Sequence, residues 1–352
     1  MIEILENLES SVRDRFDRII DVRSPGEFAE DHIPGAINLP VLSNRERAEV
    51  GTVYKQTSPF HARRIGAAYV AQNIARHLEG ALNDAPKNFR PLIYCWRGGM
   101  RSSAMATIFD QVGWRTAVIA GGYKNWRRMV VAALRNHGPR LNIVLLDGQT
   151  GTAKTKVLQC AAAQGVQTID LETLANHRGS VFGNIGAQPS QKRFETGLYA
   201  QLERFDLTRP ILIEAESHRI GRCEIPTRVW ESMIEAPRIV LSSPPEARAD
   251  FLLNTYADNV CQNGAAGKAV DRLSQFHSRE TIDQWRGLAD AGQFRTLALA
   301  LMRQHYDPLY NRSRAQWKNT GIVARHDLAR LNSPAFEEVA EQIASTLSRH
   351  QT

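Results

Sequence analysis

Short apolar runs alternate with amphipathic stretches along this chain, and several of the runs end in glycine-containing loops. Residues 91–94 (PLIY), 116–120 (TAVIA) and 141–146 (LNIVLL) read as buried strands, because successive apolar positions leave no polar face for solvent. Residues 63–80 read as a helix. Ile65 and Tyr69 share one face, Val70, Ile74 and Leu78 recur every four residues beside it, and Gly80 supplies a C-terminal stop. The second half repeats the pattern, with a helix over about 152–163 and strand candidates at 166–170, 211–214 and 238–242. Beyond Pro245 the sequence turns helical and basic. Strand, loop and helix in this alternation predict an α/β fold with parallel sheets. The polar stretch 135–140 contains Gly138-Pro139, which interrupts helix and strand alike. A chain of 352 residues exceeds one typical core. The expected division is a first domain over 1–134, a linker over 135–140, and a second α/β domain over 141–352 with a helical C-terminal part.

Charge adds a hint about partners. Lys and Arg outnumber Asp and Glu by 44 to 37, a formal net charge of +7. A basic surplus favours an anionic partner, nucleic acid first, with a solvated basic face as the alternative. Arg127, Arg128, Arg135 and Arg140 gather around the junction and suit either reading. No apolar run approaches the ~18 residues of a membrane span. The opening MIEILENLES lacks a basic-then-apolar leader, so a cytoplasmic protein without a membrane partner is expected. The cysteines Cys95, Cys160, Cys223 and Cys261 form no C-x-x-C pair. That argues against a structural metal and against a paired redox motif.

Cys95 stands apart from the other three. It ends a strand and opens the loop CWRGGMRS, whose Arg101-Ser102 begins a helical pattern. Backbone N–H groups of such a loop converge on the sulfur, and the helix N-terminus adds positive potential. Arg97 and Arg101 add formal charge, while Gly98 and Gly99 let the amides turn inward. Together these favour thiolate over thiol and make Cys95 a nucleophile candidate. A buried core cysteine needs neither two arginines nor a glycine pair.

The first ~130 residues resemble a rhodanese domain at several separate places. The segments DVRSPGEF (21–28), DHIPGAIN (31–38) and GGYKNW (121–126) match that family's strand-and-turn, HIPGAIN and closing GG-x-x-x-W signatures. Asp21, Glu27 and His32 in these segments read as braces of turns rather than as chemical groups. One departure stands out. Rhodanese loops place an arginine five residues after the cysteine, whereas Arg101 follows Cys95 by six. That wider spacing resembles the rhodanese-fold dual-specificity phosphatases, so loop length leaves a phosphatase open beside a bound phospho-donor such as selenophosphate.

A second loop, Gly148-Gln-Thr-Gly-Thr-Ala-Lys-Thr155, follows an apolar strand and opens a helix, the setting in which a P-loop binds phosphate. Gly148, Gly151, Lys154 and Thr155 fit a diphosphate cradle, with Lys154 neutralising charge and Thr155 offering a hydroxyl to Mg²⁺. Ala153 replaces the glycine that usually precedes the lysine, and its methyl fits if the backbone there is helical. Asp170, and Glu214 or Glu216, stand at strand ends as Mg²⁺ candidates. Outside the strand that enters this loop, no run of four apolar residues ends in Asp, which makes diphosphate binding the firmer expectation than ATP hydrolysis.

A rhodanese-like parallel-sheet domain fused to a P-loop NTPase-like domain resembles the tRNA 2-selenouridine synthases over nearly the whole chain. Further matching segments are HRGS (177–180), QPSQK (188–192), EAES (214–217) and HYDPLY (305–310). The resemblance implies a transferase acting on wobble 2-thiouridine in tRNA. Geranyl diphosphate would first alkylate the sulfur, and selenium from selenophosphate would then replace it. No tightly bound cofactor is expected, with Mg²⁺ an option at the second loop and the two donors as co-substrates. By the same carry-over Cys95 is the nucleophile for selenium transfer, with Arg97, Gly98, Gly99 and Arg101 shaping its anion pocket. His177, Arg178, Ser180 and Lys192 are candidates for substrate contact, or else surface-loop residues. An ATP-dependent tRNA sulfurtransferase with a Cys95 persulfide is the alternative enzyme. A nucleotide-gated tRNA-binding protein is the non-enzymatic one.

Overall fold

The computed structural model describes residues 1–135, 139–178, 186–260, 265–315 and 321–349. It divides into two compact units, Met1–Asn136 with Pro189–Arg204, and His137–Gln188 with Phe205–Thr352. Each is built on one five-stranded parallel sheet.

The first unit contains β1 (Glu3–Leu5), β2 (Arg18–Asp21), β3 (Ala36–Asn38), β4 (Pro91–Tyr94) and β5 (Ala117–Ile119). Their spatial order is β1-β5-β4-β2-β3, every pairing parallel. β4 is buried along its whole length, which is why it reads as a continuous apolar run. The helix Pro59–Glu79 covers the expected 63–80 and ends at Gly80. Ile20, Ile74, Ile93, Met105, Phe109 and Trp114 meet in one apolar cluster around β4.

The second unit contains β6 (Ile143–Gly148), β7 (Gln167–Ile169), β8 (Ile211–Glu214), the short hairpin β9 (Arg219–Ile220) and β10 (Cys223–Glu224), β11 (Arg238–Ser242) and β12 (Ile322–Asp327). Its sheet runs β12-β11-β6-β8-β7. Strand order reverses at β6, so the loop after β6 opens at the crevice where ligands of doubly wound sheets bind. β12 departs from the expectation of an all-helical region beyond Pro245. It is an edge strand of sequence IVARHD with no fully buried position, and so carries no apolar run.

Residues 189–204 also depart from a division read along the chain. The helix Gln191–Leu202 packs in the first unit, burying Phe194, Glu195, Thr196 and Leu198. Thr196 Oγ1 donates to Asp31 Oδ2 at 2.9 Å, Tyr199 meets Trp126 edge-on at 5.3 Å, and Glu195 pairs with Arg127 and Arg135. Arg13 pairs with Glu203 at the helix end. Side chains far apart in sequence decide this placement. No local pattern encodes it.

Candidate functional site

Cys95 lies immediately beyond β4 and is 3% exposed. The helix Met100–Val112 begins beside it with Gly99 as N-cap and no side-chain cap, leaving its first N–H groups for the sulfur. Gly99 N–H donates to Cys95 Sγ at 3.2 Å, and Ser102 Oγ lies 3.2 Å from the same atom. Burial pushes the thiol up. The Ser102 hydroxyl and the N–H groups of Ser102, Arg97 and Gly99 outweigh it and hold the thiol below its usual range. The helix head thus stabilises the thiolate relative to an ordinary cysteine.

The two glycine pairs have different jobs. Gly98 has φ +66°, and a Cβ there would sit 2.8 Å from the Ile119 carbonyl oxygen. At Gly122, φ +56°, a Cβ would lie 2.2 Å from the Cys95 carbonyl oxygen and 2.6 Å from Gly98 N. The GGYK turn therefore packs directly under the cysteine loop, and Tyr123 N–H bonds the Cys95 carbonyl at 2.8 Å. Gly99 has open space around its missing Cβ. We expect Gly122→Ala to destabilise the protein by about 3 kcal/mol or more, since both backbone strain and a backbone clash oppose it. Gly99→Ala should stay within about 1 kcal/mol of wild type. Equilibrium denaturation of the two variants checks the contrast.

Arg101 does not stand free over the sulfur. Its Nη1 donates to Glu27 Oε2 at 3.0 Å, and Arg47 meets the same oxygen at 2.9 Å. Glu27 braces its turn through Ser24, as expected, and also anchors Arg101, a role its sequence position did not reveal. Arg97 is exposed and makes no ion pair among the described residues. Behind the loop Arg23, 1% exposed, pairs with Asp21 at 2.6 Å, bonds the Asp31 carbonyl at 2.7 Å and covers the Tyr123 ring at 3.9 Å. His32 stacks on Phe28 and bonds its carbonyl. Asp21, Glu27 and His32 act as braces around the cysteine loop.

In the second unit the loop after β6 carries Gly148, Gly151, Lys154 and Thr155. Gly151 has φ +84°, and a Cβ on Gly148 would meet Thr152 Oγ1 at 2.6 Å and the Leu241 carbonyl at 2.8 Å. Lys154 Nζ folds back onto the Gly148 carbonyl at 2.8 Å. The backbone at Ala153 is not right-handed helical, the condition on which its methyl would fit easily. Ala153 is the left-handed N-cap of the helix Lys154–Ala163, at φ +61° and ψ +28°, a conformation glycine adopts without strain. The loop keeps the shape that a glycine would give it, and the methyl is buried among Val157, Leu241 and Phe336.

Thr155 Oγ1 reaches Glu172 Oε2 and Glu214 Oε2, each at 3.3 Å. Glu172, Glu214 and Glu216 place ligand atoms within 4.8 Å of one another. Burial pushes all three carboxyls up, Glu172 to about 7; repulsion within the set adds to it for Glu172 and Glu214, and Asp147 adds to it for Glu216 against Lys154 and Arg314. Asp170 is used differently. Both its oxygens accept from Thr173, making it the N-cap of the helix Leu171–Ala175. The acidic set is therefore Glu172, Glu214 and Glu216, with Asp170 beside it as a cap. Arg248 also escaped pattern reading. It is buried, donates to the Thr150 carbonyl and to Gln149 Oε1 at 2.8 Å each, and is clamped by Asp307 of the HYDPLY segment at 2.6 Å. That segment holds the phosphate loop from outside, and the regular spacing of a loop motif gives no sign of it.

The remaining candidates do not form one cluster. Lys192 belongs to the first unit and pairs with Glu30 at 2.6 Å. Arg178, in the second, donates to the Thr255 carbonyl at 3.1 Å. Burial pulls the neighbouring His177 down. Ser180 and Cys261 lie outside the described residues. No helix among the described residues is long and apolar enough to cross a membrane.

These two sites coincide with two family models. Residues 3–129 match the rhodanese-like domain, and residues 141–284 match the AAA domain of tRNA 2-selenouridine synthase. The chain is 33% identical to the tRNA 2-selenouridine synthase of Aeromonas salmonicida, over 83% of its own length and 86% of the relative's. It is 31% identical to the one from Pseudomonas syringae pv. syringae, with 83% and 87% covered. With the one from Shewanella denitrificans it shares 37% identity over 68% and 66%. The chain belongs to the tRNA 2-selenouridine synthase family, whose members are tRNA-modifying transferases.

Proposed function

We propose that the protein converts 2-thiouridine at the wobble position of tRNA into 2-selenouridine in two transfers. In the first, the thiocarbonyl sulfur attacks C1 of geranyl diphosphate. The S–C bond forms, the C–O bond breaks, diphosphate leaves, and the base loses its N3 proton. In the second, selenium derived from selenophosphate adds at C2 and the C–S bond breaks. The sulfur departs as geranyl thiol after taking a proton, and the donor's phosphorus ends as phosphate once water is added. No oxidation state changes in either transfer, so no redox partner is required.

The observation that carries this reading is the pairing of two unlike anion sites in one chain. One presents the Cys95 sulfur to the donor of a soft chalcogen, its thiol held below the usual range by Ser102 Oγ and the loop N–H groups. The other offers Lys154 and the loop amides to a diphosphate. Three carboxylates and the Thr155 hydroxyl form an all-oxygen donor set that fits Mg²⁺. Glu172, Glu214 and Glu216 would hold that ion, which when bound would neutralise charge on the diphosphate leaving group. Because the raised carboxyls must lose protons to bind it, Mg²⁺ affinity should increase as pH rises through about 7.

Incubation with a 2-thiouridine tRNA, geranyl diphosphate, Mg²⁺ and selenophosphate should yield the geranylated and then the selenated nucleoside. Both are separable by mass spectrometry. A folded preparation that forms neither product refutes the reading. tRNA-stimulated ATP turnover without alkylation would replace it with the sulfurtransferase.

A further inference from the structure

The first unit contains a cavity of about 1040 Å³ that neither transfer, as described so far, requires. It lies between the helices Asn44–Gln56, Pro59–Glu79 and Met100–Val112, the last of which starts at the Cys95 loop. Its volume matches the upper end of the range for small-molecule sites, about 300–1,000 Å³. Space arises because Asn44–Gln56 buries none of its residues and faces small side chains such as Ala67 and Ala71.

Its lining has two characters. Val70, Ile74, Ala104 and Ile108 make an apolar floor. Lys55 and Arg63 stand around it beside Arg47 and Arg101, which are paired with Glu27, and no carboxylate lines it among the described residues. Tyr54 and Met100, both lining residues, are 57% and 69% exposed, so large apolar surface is left facing solvent. A matching ligand combines an aliphatic chain with a strongly anionic carrier. Arg101 belongs both to this lining and to the Cys95 loop, so the cavity adjoins that loop.

We propose that this cavity receives the isoprenoid chain of the S-geranylated uridine during the selenium exchange, with Lys55 and Arg63 set against RNA phosphates. The assignment rests on the two-step reading above. In that step the C2–S bond breaks as C2–Se forms, and the geranyl thiol leaves into apolar surroundings rather than into water. Free geranyl diphosphate has the same chain chemistry, but its phosphates are claimed by the Lys154 loop of the other unit.

The test uses the full-length protein, selenophosphate and two RNA hairpins, one with S-geranyl- and one with S-methyl-2-thiouridine. Each methylene that the cavity fully buries is worth up to about fourfold in kcat/KM, so wild type should prefer the geranyl hairpin at least tenfold. Ala71→Trp, and separately Ala104→Phe, fills the cavity and should collapse that preference at least tenfold. The methyl hairpin reports folding in the same sample. Variants that keep the wild-type preference overturn the assignment. So does loss of geranyl transfer from the diphosphate with the preference intact, which would give the cavity to the donor. A wild-type enzyme that converts the methyl hairpin but leaves the geranyl one unreacted refutes the two-step reading itself, and the cavity assignment with it.

Discussion

Cys95→Ala should leave geranyl transfer working and stop selenation, with 2-selenouridine formation falling at least about a thousandfold, as expected for loss of a nucleophile. Geranylated tRNA should accumulate. The reason is positional. Cys95 sits in the first unit under its own set of donors, and nothing in the diphosphate loop depends on its sulfur. The thiolate also sets a pH signature. With the thiol held below its usual range, selenation rises as pH passes through that lowered value and then levels off. Ser102→Ala removes the largest of the favourable donors, so the thiol moves up and the rising limb moves to higher pH. A Ser102→Ala enzyme slowed equally at every pH would assign Ser102 to packing rather than to the thiolate. Nucleoside mass spectrometry for Cys95→Ala and a pH–rate profile for Ser102→Ala check both statements. Loss of both products in a folded Cys95→Ala protein would show that the sulfur serves the first transfer too.

Much of this site is legible along the chain because its geometry is local. The turn after β4 needs a residue of positive φ at Gly98 and free N–H groups at the start of a helix, and both leave a mark within eight residues. The β6 loop is legible for the same reason, and β4, β8 and β11 fall at the expected bounds because buried parallel strands are apolar runs. What stays hidden depends on partners distant in sequence. Glu27 reaches Arg101 across 74 positions, and Arg248 reaches the phosphate loop across 98. Glu172 joins Glu214 because the helix Leu171–Ala175 starts where β7 ends, and Asp170 looks equally suitable in sequence but is consumed as that helix's cap. The recruitment of Gln191–Leu202 into the first unit depends on Asp31, Arg127 and Arg135 acting together. Ala153 is the instructive case, because the residue type points away from positive φ and the loop shape imposes it.

Lys154→Ala should produce the opposite phenotype to Cys95→Ala. Geranyl transfer should fall by about 10²–10³ in kcat/KM, the usual loss when one preorganised donor to developing negative charge is removed. In the proposed transfer charge builds on the departing diphosphate as the C–O bond breaks, and Lys154 carries the loop's own cation. At rest its Nζ is satisfied by the Gly148 carbonyl at 2.8 Å, so it is held in place before any phosphate arrives. Removing it costs the fold about 1 kcal/mol through that lost bond, too little to account for the kinetic change. The decisive arm supplies tRNA that already bears the geranyl group. Lys154→Ala should then form 2-selenouridine at close to the wild-type rate, because the diphosphate has already left. If the pre-geranylated substrate is also processed a hundredfold more slowly, Lys154 acts in the exchange step, and the division of labour between the two loops is wrong.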